Sequence, residues 1–161
     1  MNATDTAFPV GIRASALAVI ITEAQRSRDG LETGGILLGH TTENGESTVL
    51  VAGGPGPAAL RERSRFLRDL HHAQVLASQA WESERAQWIG EWHTHPSGHP
   101  IPSPTDMASY VGHLRDPELG FMQFLAIIVV IPEAGAPTLT AWRITPQGVH
   151  TAVVNILSGG E

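Results

Sequence analysis

The stretch WIGEWHTHPSGHPIPSPTD, residues 88–106, predicts a strand, a proline-rich loop and a capped helix in direct succession. Residues 88–95 alternate as a half-buried strand does, so side chains two positions apart share a face. One face is expected to carry two tryptophans and a threonine: Trp88, Trp92 and Thr94. The opposite face is expected to carry three titratable side chains: Glu91, His93 and His95. The one-residue gap between the histidines thus lets both rings point to the same place.

The segment after the loop has the signals of a helix start. Ser103 is placed to cap the helix, Pro104 fits its first position and Asp106 falls in its first turn. This helix is expected to carry Asp106 back toward His93 and His95. Imidazole nitrogens and a carboxylate are ligands that zinc prefers, and three protein ligands leave a fourth position for water. The pattern predicts a catalytic metal site and points to hydrolysis.

Apolar spacing and turn residues predict the remaining elements. Helices are expected over two ranges, 14–28 and 66–84. Strands are expected over five further ranges: 34–40, 47–52, 121–131, 138–144 and 149–157. The sequence ENGE at 43–46 is a hairpin signal between the first two of these strands.

Composition narrows the class of protein. A chain of 161 residues with 42% hydrophobic and 16% charged residues fits one globular domain, which we place at 1–157 with a loose tail at 158–161. A net charge of -6 argues against a nucleic-acid partner. The absence of cysteine excludes disulfides and thiolate ligands. No secretion signal or membrane span is visible, so a cytoplasmic location is expected.

A zinc hydrolase also needs a carboxylate that accepts and returns a proton, and the residues offer two candidates. Glu91 shares a strand face with the histidines, whereas Glu32 precedes the strand sequence GGILLGH. Spacing does not choose between them. Four further histidines are expected on the surface or in loops: His71, His72, His99 and His113. Of these, His99 is expected nearest the metal.

These residues together resemble the JAMM motif of the JAB1/MPN/Mov34 metalloenzymes. The resemblance rests on Glu32 in ETGGILLG, the sequence His93-Thr94-His95-Pro96, then Ser103 and Asp106 at the motif's spacing. It extends over nearly the whole chain, and GEWHTHP and PSPTD look most like the stand-alone prokaryotic JAB proteins. The implied fold is α/β: a single JAB/MPN domain with a curved mixed β-sheet flanked by helices, in a cytidine-deaminase-like three-layer arrangement.

The resemblance also implies the roles of the motif residues. Glu32 becomes the catalytic base, one zinc ion per chain is bound by His93, His95 and Asp106, and Ser103 hydrogen-bonds the carbonyl oxygen as charge develops on it. No other cofactor is implied. Because every motif position is filled, the resemblance favours an active enzyme over a non-catalytic MPN-type binding module.

The implied substrate is the C-terminal tail of a ubiquitin-like protein, or of a protein conjugated through a ubiquitin-like pathway. The implied activity is an isopeptidase resembling a deubiquitinase. Bacterial relatives often accompany ubiquitin-activating-like and conjugating-like enzymes, including in antiviral operons. The alternative within enzymes is processing of a sulfur-carrier protein. The sequence distinguishes neither a monomer from a homodimer nor isopeptide from linear-peptide cleavage, and the segment 61–84 is a candidate for partner recognition.

Overall fold

A computed structural model describes residues 8–158 of the chain. Within this range the elements follow in the order β1 Phe8–Arg13, α1 Ala14–Arg26, β2 Gly34–Thr41, β3 Ser47–Ala52, β4 Leu60–Arg61, β5 Phe66–Leu67, α2 Leu70–Glu84, β6 Gln87–Thr94, α3 Pro104–Arg115, β7 Phe124–Val130, β8 Thr138–Thr145 and β9 Gly148–Leu157. Residues 159–161 of the predicted tail lie outside the described residues, so the division into domain and tail stays a prediction.

Seven strands form one mixed sheet in the order β1-β3-β2-β6-β7-β8-β9. The pairs β1–β3, β1–β9 and β6–β7 are parallel, and the others are antiparallel. The curved mixed sheet expected from the resemblance is confirmed. In addition, β9 runs alongside β1 from Phe8↔Ala152 to Arg13↔Leu157, which closes the sheet into a barrel. Closure leaves no free edge in this sheet. The three-layer arrangement stays a prediction.

The three helices pack on different parts of the sheet. Helix α1 buries Ala16, Ile20 and Ala24 in the main core cluster, together with Leu37 of β2 and Ile127 of β7. Neighbouring residues of a strand point to opposite faces of the sheet. The residues next to Leu37 and Ile127 therefore contact the other two helices. Helix α2 covers the cluster of Ile36 and Leu38, and α3 packs Tyr110 against Phe124 and Ala126. Within residues 8–158, no helix combines the length and the apolar character needed to cross a membrane.

One expected feature of β6 is wrong. Trp88 was expected to share a face with Trp92, but the two side chains belong to different core clusters. The register between β2 and β6 shifts at this point: Leu37 pairs with Gly90 and Leu38 with Trp88, which leaves Ile89 as an extra residue. This β-bulge moves Trp88 to the face of Glu91.

The second helix also begins later than expected. Phe66 and Leu67 form a short strand against β4, and Asp69 caps the helix by accepting from the backbone of His72 at 3.1 Å. Residues 66–69 have apolar residues at a spacing that a helix would allow, but they lie outside the helix. Strands β1, β4 and β5 were not predicted, and the other predicted elements agree with the structure to within about three residues.

Close backbone packing in the sheet makes Gly90 a sensitive position. A methyl group at Gly90 would overlap the carbonyl oxygen of Leu125 on β7. We predict that Gly90→Ala lowers the free energy of unfolding by about 1–3 kcal/mol, since the strands must separate to relieve the overlap. The matched control is Gly112→Ala on the exposed side of α3, where a methyl group meets nothing within 4 Å. That change should instead raise the free energy of unfolding by about 0.5–1 kcal/mol. Denaturant titration measures both, and equal effects would contradict the close approach of the two strands.

Candidate metal centre

Three side-chain atoms converge at the end of β6. Nε2 of His93 lies 2.9 Å from Nε2 of His95, and Oδ2 of Asp106 lies 3.2 Å from the first and 3.0 Å from the second. Ligand atoms held about 2.1 Å from a tetrahedral ion would lie roughly 3.4 Å from one another, a spacing close to this triangle. The structure thus brings together the three residues that the sequence pattern selected as ligands.

Strand β6 holds both histidines in place from its two sides. It pairs with β2 on one side and with β7 on the other, and the backbone of His95 donates to Val129 of β7 at 2.9 Å. Between the histidines, the backbone of Thr94 donates to the carbonyl of Thr33 at 2.8 Å. His93 and His95 are both buried. The two rings therefore enter the site from a backbone that has little freedom to move.

Asp106 is oriented by the start of α3. Its Oδ2 accepts from the backbone of Ser103 at 2.8 Å, while its own backbone donates to Ser103 Oγ at 3.0 Å. These reciprocal bonds form a capping box, with Pro104 at the first helical position as expected. Burial alone would raise the pKa of Asp106, but the hydrogen bonds with His93 and His95 outweigh it and hold that pKa well below its usual range. The carboxylate is therefore anionic and aimed at the histidines.

The tautomer of His95 follows from a backbone contact in the proline-rich loop. Its Nδ1 lies 2.7 Å from the carbonyl oxygen of His99, so Nδ1 carries the proton and donates it. Nε2 is then left with a free lone pair toward the site, which is the arrangement that metal-binding histidines adopt. Burial opposes a charge on this ring, yet Asp106 and the His99 carbonyl together raise the pKa of His95. His99 was expected near the metal, and its backbone carbonyl contacts the His95 ring.

Glu32 reaches the same centre from the loop before β2. One of its carboxylate oxygens lies within 4.8 Å of a ring nitrogen of His93 and of His95, and its side chain is buried. Burial is the largest influence on this carboxyl, and it raises the pKa of Glu32 despite the opposing effect of the two histidines. Two ligand sets are therefore geometrically available. The Asp106 oxygen lies within 3.2 Å of both ring nitrogens, while the Glu32 carboxylate oxygen lies within 4.8 Å of them.

Glu91 points elsewhere. It forms an ion pair with Arg68, whose guanidinium also lies over the ring of Trp88 with its carbon 5.2 Å from the ring centre. The structure thus gives Glu91 a cationic partner, while the charged groups that influence Glu32 include the two histidines and the carboxylates of Asp106 and Glu91. His113 was expected at the surface, but it is half-buried between Trp88 and Phe124, with ring centres 5.2 Å apart in each pair.

Several residues near the centre were missed by sequence reasoning. Thr33 and Thr94 tie the loop of Glu32 to β6, and the Tyr110 hydroxyl is buried with no hydrogen-bond partner among residues 8–158. Arg61 contacts the backbone of Glu32. The only signal for Arg61 and Arg68 is their position in the arginine-rich run RERSRFLR at 61–68.

Chemically, the centre brings together hydrogen-bond acceptors: two imidazole nitrogens and a carboxylate oxygen. At 2.9 Å only one proton can lie between the two Nε2 atoms, and the anionic Oδ2 lies beside both. A divalent ion satisfies all three lone pairs at once. The residues present therefore fit a metal ion, with a carboxylate beside it that can exchange protons.

A mixed sheet with two histidines at the end of one strand, an aspartate at the start of a helix and a nearby glutamate defines a candidate metallohydrolase domain of the α/β class. Comparison with known proteins identifies its family. The family described as prokaryotic homologs of the JAB domain matches residues 13–145, and the chain belongs to this family. The resemblance found in the motif residues is thereby confirmed.

Individual relatives agree with this assignment. A protein of Enterobacter hormaechei subsp. hoffmannii named CD-NTase/cGAS isopeptidase is 28% identical over 142 residues, which cover 88% of this chain and 77% of that protein. A probable metalloprotease of Sinorhizobium fredii is 30% identical over 156 residues, 91% of this chain and 94% of that protein. A solution structure from Desulfitobacterium hafniense superposes with a TM-score of 0.67 over 93% of this chain and 94% of that chain. At 17% identity, this last likeness shows the fold alone.

We predict that Asp106 is required for metal retention separately from its capping role. Asp106→Asn keeps a side-chain oxygen that can accept from Ser103 but removes the charge, and Asp106→Ala removes both. Both variants should retain little metal after purification, while wild type retains about one ion per chain. Only Asp106→Ala should also lose about 1 kcal/mol of stability. Elemental analysis and thermal melts measure these outcomes, with Glu118→Ala as a control. Full metal content in Asp106→Asn would contradict the ligand role.

Proposed function

We propose that this protein is a zinc-dependent isopeptidase of the JAMM type. It hydrolyses the amide bond after the C-terminal tail of a ubiquitin-like protein, or of a protein conjugated through a ubiquitin-like pathway. The observation that carries the proposal is the convergence of His93, His95 and Asp106 within 3.2 Å, with the Glu32 carboxylate within 4.8 Å of both histidines. Among relatives, the name CD-NTase/cGAS isopeptidase recurs, which suggests a conjugated nucleotidyltransferase as substrate and an antiviral context.

In this proposal zinc is held by His93, His95 and Asp106. When bound, it supplies Lewis acidity that lowers the pKa of a water to about 7 and polarises the scissile carbonyl. Zinc is the natural choice for two imidazoles and one carboxylate with a fourth position free.

Glu32 moves the proton. Its carboxylate accepts a proton from the attacking water and then delivers it to the nitrogen of the leaving lysine or backbone amine. The raised pKa of Glu32, caused mainly by burial, suits this second step because the protonated form must persist long enough to act as an acid. With this proton the nitrogen leaves as a neutral amine when the C–N bond breaks, and not as an amide anion.

Ser103 stabilises the developing oxyanion. Its Oγ already accepts from the backbone of Asp106 at 3.0 Å, so the hydroxyl proton remains free to be donated. A donor held by a capping box changes position little during the reaction, which is the requirement for electrostatic stabilisation of the transition state. In this mechanism the Ser103 side chain both caps α3 and donates a hydrogen bond to the oxyanion.

The central test is Glu32→Gln, which keeps the size of the side chain but removes its basicity. We predict a fall in kcat of about 10²–10⁴-fold, the range expected for loss of general acid–base catalysis, with zinc content unchanged. The measurement is single-turnover cleavage of a CD-NTase joined through its C-terminus to a lysine of a carrier protein. Glu46→Gln, at an exposed turn between β2 and β3, is the matched control.

The same assay separates the alternatives. Cleavage of an extended sulfur-carrier protein in preference to the conjugate would favour the processing alternative. Zinc-loaded wild type that cleaves neither substrate faster than Glu32→Gln does would leave the non-catalytic binding module as the better interpretation.

For Ser103 we predict that catalysis and capping can be separated by two substitutions. Ser103→Ala and Ser103→Gly both remove the hydroxyl, so both should lower kcat by about 10²–10³-fold. Ala is a poor N-cap and should cost about 1 kcal/mol of stability, while Gly should cost only about 0.3 kcal/mol. Activity that follows stability, with Ser103→Gly nearly as active as wild type, would show that the serine acts only as a cap.

A further inference from the structure

The hydrogen bonds of the Glu32 backbone lead to a part of the molecule that the mechanism above does not use. Glu32 precedes β2, so the sheet does not hold its peptide groups. Its N–H donates to the carbonyl of Glu62 at 2.7 Å, and its carbonyl accepts from Nε of Arg61 at 3.1 Å. Both partners belong to the small hairpin formed by β4 and β5, which we call the arginine hairpin (residues 60–67).

Arg61 contacts the rest of the same loop as well. Its two Nη atoms form a bidentate pair with Asp29, at 3.1 and 3.0 Å, and Nη2 also lies 3.4 Å from the carbonyl oxygen of Leu31. The planar guanidinium therefore spans the loop from Asp29 to Glu32 with donors in a fixed geometry. A lysine, with one compact ammonium group, cannot make these contacts at the same time.

The next residue is held by a different element. Thr33 donates its N–H to Thr94 Oγ1 at 3.0 Å, and its carbonyl accepts from the Thr94 backbone at 2.8 Å. The loop is thus fixed at residue 33 by β6 and at residue 32 by the arginine hairpin. Fixing both sides of the Glu32 Cα leaves only side-chain torsions free, and the buried site restricts those.

We propose that Arg61 is a positioning residue for Glu32, and that the arginine hairpin sets the reach of the catalytic base toward the metal centre. This inference rests on the proposed role of Glu32. Its physical basis is that proton transfer depends steeply on distance, and a displacement of 1 Å from a residue outside the chemistry can cost about a hundredfold in rate.

The test compares Arg61→Ala with Arg13→Ala in the zinc-loaded protein. Arg13 forms an equally bidentate pair with Glu84, at 2.7 Å in both contacts, but it links β1 to the end of α2. Arg61→Ala should lower kcat by about 10–100-fold with zinc content unchanged and KM within about twofold of wild type. Arg61→Lys should restore part of the loss, and Arg13→Ala should leave kcat unchanged.

A double-mutant cycle separates positioning from a general structural effect. If Arg61 acts through the Glu32 carboxylate, Arg61→Ala should cause no further loss in the Glu32→Gln background, measured in single turnover with excess enzyme. Additive losses in the cycle, zinc loss in Arg61→Ala, or equal kcat in Arg61→Ala and Arg13→Ala would each overturn the proposal. Full activity of Glu32→Gln would instead contradict the proposed function itself, so the two failures are distinguishable. If Arg61→Ala does not fold, Arg61→Lys carries the same cycle.

Discussion

The reciprocal hydrogen bonds between Ser103 and Asp106 are the constraint on which the centre depends. They begin α3, hold the Asp106 carboxylate beside His93 and His95, and leave the Ser103 hydroxyl proton free. A helix start satisfies its own backbone donors in this way whether or not a metal is present. The orientation of the Asp106 carboxylate toward the histidines therefore follows from ordinary helix capping.

The carboxylates near the centre differ in whether they have a cationic partner. Glu91 is paired with Arg68 and Asp29 with Arg61, so two of the nearby carboxylates have cationic partners. Asp106 instead lies against the two histidines and the backbone N–H of Ser103, and burial raises the pKa of Glu32. The two arginines are thus paired with carboxylates other than those of Asp106 and Glu32. A divalent ion would interact favourably with the Asp106 carboxylate and the two imidazoles.

Strand β6 connects the candidate metal centre to the core of the domain. Its glycine at position 90 lets β7 approach closely, its bulge at Ile89 turns Trp88 toward α3, and its last residues carry the two histidines. The site is thus placed at the end of a strand that β2 and β7 bond on both sides. The Glu32 loop, by contrast, is held at residue 32 by the small arginine hairpin and at residue 33 by Thr94 of β6.

Short stretches of the sequence determined much of the fold and of the candidate site. The candidate ligand residues, the capping box and most elements were predictable because side-chain identity and short-range spacing determine them. His93, His95, Ser103 and Asp106 all lie within fourteen residues. Glu32 was one of two carboxylates until the family resemblance selected it, since 61 positions separate it from His93. The bulge, the closure by β9 on β1 and the Arg61 contact depended on tertiary structure alone. Strand pairing and contacts to a carbonyl use peptide groups that every residue carries, so no residue type along the chain signals them.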